Sequence, residues 1–244
     1  YAPEKGRQHL VRPEKLYEAS VATLGATVID AFGEPGYVDP GSFVDSAPLR
    51  EIEIVATPGH ASHHDAFVFT TSAGSVLFPG EAAGVALTRF VADLWIPREN
   101  VARFPDGVIP ADFRYQSPGT PPRFEYEIYA GSLGRLRERE YALLCYSHYG
   151  WTEDAAEDLT RLSKQLERWR AVVTEECFIR PRDATGDREL VERIALRLRS
   201  EDPLLAAFSF FDAGNKVKEE FFLRNSILGF LGYVRGTGEP RKGR

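Results

Sequence analysis

The feature that most constrains this chain is a change of hydrophobic period along it. "REIEIVAT" (50–57) sets Ile52, Ile54 and Ala56 against charged neighbours. "DAFVFTT" (65–71) and "SVLFPG" (75–80) follow, joined by "SAGS", a tight hairpin turn. A later run, "YALLCYSH" (141–148), reads as a buried strand. From residue 153 to the end the period becomes helical. "EDAAEDLTRLSKQLERWRAVVTEECF" (153–178) places Leu159, Leu162, Leu166, Trp169 and Val172/Val173 on one face, with Thr152 as its cap. "GDRELVERIALRLRSED" (186–202) and "NKVKEEFFLRNSILGFLGYVRG" (215–236) are two more helices. Strand runs followed by helices predict an α+β fold.

Before the strands, "RPEKLYEASVATLGA" (12–26) carries Pro13 at a first turn and apolar Leu16, Ala19, Val21 and Leu24, hence a short helix. "AFGEPGYVDPGS" (31–42) is loop, and "FEYEIYAGSLGRLRERE" (124–140) is helical. Residues 84–123 read as irregular. A connection that long is usually a binding loop or lid, and Phe90, Trp95, Phe104, Phe113 and Tyr115 are candidates to line a substrate cleft. The tail "TGEPRKGR" is expected to fray.

Composition narrows the partners. A net charge of −6 without a basic stripe argues against nucleic acid. No apolar run approaches the roughly 18 residues of a membrane span. Two cysteines, Cys145 and Cys177, make no disulfide framework, so a cytoplasmic location is the default. The C-terminal helices could pack a homodimer or close the chain's own core. The chain contains no methionine and opens at Tyr1, which suggests that it is part of a longer product.

Three of the five histidines fall in "VATPGHASHH" (55–64). His60 follows one strand, Glu81 follows the hairpin's second strand, and His148 follows a third. Strand ends side by side in a sheet can aim such residues into one cleft, and imidazole with carboxylate suits zinc, iron or manganese. His63 and His64 are candidates to orient a ligand or face the cleft, as is Tyr149. Cys145, Cys177 and His9 read as structural.

"TPGHASHH", "VLFPGEAAGV" and "LLCYSHYG" resemble the third, fourth and fifth metal motifs of the metallo-β-lactamase superfamily. "GRQHLVRPEKLYEAS" and "TPPRFEYEIYAGSL" are similar to its hydrolase members, and the likeness runs from Tyr1 to about Trp151. The resemblance implies the C-terminal portion of an αββα sandwich over residues 1–180, with a helical extension over 181–244. It implies that His60 completes a first metal set, Glu81 stands at the bridging position and His148 serves a second metal, with zinc (two ions in a complete site) or alternatively iron or manganese. The implied activity is hydrolysis of a small-molecule ester, thioester, lactone or amide, the only further catalytic group being a metal-bound water. Alternatives are a non-haem iron oxidoreductase and a degenerate, metal-free binding domain. Two departures stand out: Glu81 replaces the family's aspartate, and the His-x-His-x-Asp-His motif is absent, so that its place is expected upstream of Tyr1.

Overall fold

The computed structural model describes residues 1–25, 31, 33–45, 49–120, 124–179 and 187–236. Five strands form one sheet in the order β1-β2-β3-β6-β7. They are β1 (Ile52–Ala56), β2 (Asp65–Thr71), β3 (Gly74–Phe78), β6 (Leu143–Cys145) and β7 (Trp151–Thr152). β4 (Val85–Thr88) and β5 (Arg114–Ser117) make a separate antiparallel pair. The longer helices are α1 (Glu4–Val11), α2 (Glu14–Leu24), α3 (Tyr126–Arg137), α4 (Ala155–Ile179), α5 (Asp187–Glu201) and α6 (Ala213–Gly236), with single helical turns at Arg89–Ala92 and Arg98–Val101.

The hairpin expected at "SAGS" forms, with Thr71 paired to Gly74 and Ser72-Ala73 as the two-residue turn. β1 and β3 each run antiparallel to β2, and β3 is parallel to β6. β1, β3 and β6 therefore point the same way, and the chain leaves all three at one end of the sheet. That end carries the site.

The two faces of the sheet differ. Side chains alternate across a strand. Ala66, Val68, Leu77 and Leu144 form the inner face and are buried with Leu133, Leu136, Leu159 and Leu162 of α3 and α4. The register places Ile54, Phe67, Phe78, Cys145 and Trp151 in one row across the opposite face. None of that row is buried; Phe67 is 38% and Phe78 45% exposed. α5 and α6 join the inner core through Ile194, Leu198, Ile227 and Phe230.

Several elements differ from the sequence reading. Within the stretch read as an irregular lid, residues 84–120 are ordered and packed, and 121–123 lie outside the described residues. The stretch contains β4 and β5, and its Trp95, Phe113 and Tyr115 are buried in the core while Phe104 stacks on Phe210 at 3.9 Å. Of its five aromatics only Phe90 is exposed. α1, β7 and the 3-10 stretch Pro203–Phe210 were not expected, and the strand expected over 141–148 is confined to β6. Thr152 serves the start of α4 at one remove, its Oγ1 accepting the Asp154 N–H at 3.0 Å. The tail 237–244 lies outside the described residues. Among those described, no helix is long and apolar enough to cross a membrane.

Candidate functional site

His60, Glu81 and His148 come together at the sheet end where β1, β3 and β6 finish. Glu81 lies between the two imidazoles. Its Oε2 is 2.6 Å from His60 Nε2 and its Oε1 is 3.3 Å from His148 Nε2. Burial by itself would raise the Glu81 carboxyl. Hydrogen bonds from His148 and His60 outweigh it and hold the group well below the usual carboxylate range.

The backbone of Glu81 is gripped on both sides. Its N–H donates to His64 Nε2 at 3.1 Å, and its carbonyl accepts the Tyr129 hydroxyl at 2.8 Å. Since His64 Nε2 accepts, Nδ1 carries the proton and donates to Thr57 Oγ1 at 2.8 Å. Burial, with His60 nearby, lowers the His64 pKa, which keeps that neutral tautomer. Gly80, at φ +55°, is needed because a Cβ there would stand 2.5 Å from His64 Nε2. Gly59, at φ +134°, lets the loop of His60 lie against α3, where a Cβ would stand 2.3 Å from Tyr129 Cα. Ser132 of the same helix donates to the Pro58 carbonyl at 2.6 Å.

The other sequence candidates separate. His64 supports Glu81 from behind. His63 turns to α1, its ring 5.2 Å from that of His9 and its Cδ2 beside Gly6. Tyr149 has φ +66°, uncommon for a bulky residue, and its ring packs on Trp95 at 4.4 Å with Lys218 Nζ 4.6 Å away. Burial raises its hydroxyl pKa. Tyr149 thus joins the wall beside His148, together with α6. Tyr129, Thr57 and Ser132 were not foreseen. Their work is hydrogen bonding to backbone and to a ring nitrogen, which leaves no periodic or compositional trace.

As donors, two imidazoles and a carboxylate fit a divalent ion. Two ligands of one tetrahedral ion, at bonds of about 2.0–2.1 Å, sit roughly 3.3 Å apart. The His148–Glu81 pair already has that spacing, whereas His60 and Glu81, at 2.6 Å, would have to part by about 0.7 Å. Among the described residues no group of three or more His, Cys, Asp or Glu side chains is placed to hold an ion as it stands. His60 Nδ1 is buried without a hydrogen-bond partner, so this ring lacks the second anchor that His64 has.

No protein-family model and no curated protein matches the chain. Solved structures similar to it are metallo-β-lactamase superfamily proteins. An archaeal member from Sulfolobus tokodaii is 18% identical, with a TM-score of 0.46 over 96% of this chain and 69% of its own. A family protein from Thermus thermophilus is 16% identical, with a TM-score of 0.47 over 98% and 66%. A beta-lactamase domain protein from Burkholderia ambifaria is 16% identical, with a TM-score of 0.41 over 91% and 58%. The chain thus spans about two thirds of the length of the first two. At such identities and scores the chemistry rests on the residues of the chain itself.

Proposed function

We propose that this chain carries part of the centre of a metal-dependent hydrolase of the metallo-β-lactamase type, acting on an ester, thioester, lactone or amide carbonyl. One observation carries the reading. Three side chains of metal-ligand chemistry, 21 and 67 residues apart in sequence, meet with Glu81 between His60 and His148. A carboxylate flanked by two imidazoles at the end of parallel strands is an arrangement for holding a cation.

His60 Nε2, the two oxygens of Glu81 and His148 Nε2 are the atoms that would hold a divalent ion, with zinc preferred and iron or manganese as alternatives. Such an ion supplies Lewis acidity and lowers the pKa of a coordinated water. The chain's own contributions are positional. His64 and Tyr129 fix the backbone of Glu81 from its two sides, so the carboxylate projects from an anchored turn. Glu81 is too weak a base to take a proton near neutrality, and its role is to remain an anion. His148 is the most exposed of the three.

The test is elemental mass spectrometry on protein purified without added metal, followed by calorimetric titration with zinc. Bound metal, or uptake that weakens at least tenfold in Glu81→Ala, is the expected result. Iron with substrate-dependent oxygen consumption would replace the hydrolase by the oxidoreductase. A protein that takes up no ion and hydrolyses no ester would leave the metal-free binding domain.

A further inference from the structure

Resting on the hydrolase reading, we propose that Phe90 and Trp151 form the seat for a planar, uncharged, apolar group of the substrate. Phe90 lies in the helical turn Arg89–Ala92 directly after β4, and Trp151 opens β7. Their rings are stacked, with centroids 4.6 Å apart and planes 10° apart. Phe90 is 59% exposed and Trp151 40% exposed. Two large aromatic side chains stacked on one another and left partly in water gain from an apolar group that covers their exposed surface.

Their location gives the covering group its identity. Trp151 follows His148 by three residues, a span of at most about 11 Å along the chain. The loop that brings His148 to Glu81 therefore leads directly into Trp151. The base of the platform is fixed. Thr88 and Ala92 on either side of Phe90 are buried, and the Thr88 N–H donates to the Tyr149 carbonyl at 3.4 Å, tying the two loops together. Arg89, the neighbouring cation, is paired with Asp93 at 2.9 Å. The bounded span from His148 to Trp151 puts the platform beside the site, within reach of a substituent on a carbonyl compound bound there. Aromatic surfaces stack on planar groups with a gain beyond that of area burial, because their quadrupoles favour offset and edge contacts. An aryl ester fits; a short alkyl ester leaves the platform uncovered.

Hydrolysis of 2-naphthyl acetate and ethyl acetate, which share an acyl group, tests this, together with binding of 2-naphthol followed by saturation-transfer NMR. In Trp151→Ala and Phe90→Ala the ratio of kcat/KM for the naphthyl ester to that for the ethyl ester is expected to fall about tenfold, the scale of a lost stacking contact and its buried area. Trp151→Phe should recover part of the ratio. Equal losses on both esters, or an unchanged ratio, would overturn the proposal. If the wild-type protein hydrolyses neither ester, the hydrolase reading fails by itself. Binding of 2-naphthol that is lost in Trp151→Ala then upholds the seat, and absence of binding overturns it. Transfer that disappears as the protein is concentrated would overturn it as well, since a second copy would then be the occupant. Both residues are exposed, and a melting temperature within a few degrees of wild type checks that the variants fold.

Discussion

Glu81 is held by its main chain as firmly as by its carboxylate, and the consequences are local. His64→Ala removes the acceptor of the Glu81 N–H and the donor to Thr57, leaving two half-buried polar groups unmatched. That should cost about 1–3 kcal/mol in chemical denaturation. It should also weaken zinc binding by about 10–100-fold, the usual effect of losing a group that orients a ligand. Tyr129→Phe tests the other side of the grip and should lower zinc affinity with a smaller loss of stability. A different residue sets the pH response. Glu219 is buried, donated to by Tyr115 at 3.1 Å, with its second oxygen unpartnered. Burial raises its pKa, offset in part by the Tyr115 hydroxyl and by Lys218. A carboxyl raised in this way favours the fold below its ordinary value of about 4.3 and stops doing so as pH climbs through the folded value. Glu219→Gln should therefore gain stability over wild type as pH rises above about 4.3, read from melting temperatures across roughly pH 4–8. The triad was legible because each member follows a strand run, and parallel strands end together. His64 as a backbone acceptor, Tyr129 and Glu219 were not, because their partners are fixed only by the tertiary fold.

At the scale of elements, length decided what could be read. The hairpin, β1, α3, α4, α5 and α6 are long enough for a period to repeat. β4 and β5 are four residues each, and "VALT" and "RYQS" carry no alternation. They exist because the fold buries them: Gln116 in β5 donates to the Ala83 carbonyl and accepts from Gln165 at its own carbonyl. α1 was hidden for a similar reason, since "EKGRQHLV" has a glycine at its one buried position, where Gly6 meets His63. The junction after α5 illustrates the same dependence. Asp202 is buried and caps Pro203–Phe210 through the Leu204 N–H at 3.1 Å. It also accepts from Trp169 at 2.7 Å and Gln165 at 2.8 Å. Asp202→Ala strands these donors inside the core and should cost about 3 kcal/mol or more, measured by urea unfolding.

For the molecule as a whole, the feature with the widest thermodynamic consequence is the outward face of the five-stranded sheet. Its row from Ile54 through Phe67 and Phe78 to Trp151 has no buried member, although most of its side chains are apolar. In calorimetric terms, a face already partly wet before unfolding adds less to the heat capacity of unfolding than a buried one. The increment should fall below the roughly 3–3.7 kcal/mol/K that 12–15 cal/mol/K per residue gives for 244 residues. A smaller increment flattens the stability curve, so this chain should lose less stability on cooling than a fully packed protein of its length. Anything that dries the row should restore the missing heat capacity and raise the melting temperature, the gain growing with the logarithm of its concentration over its Kd.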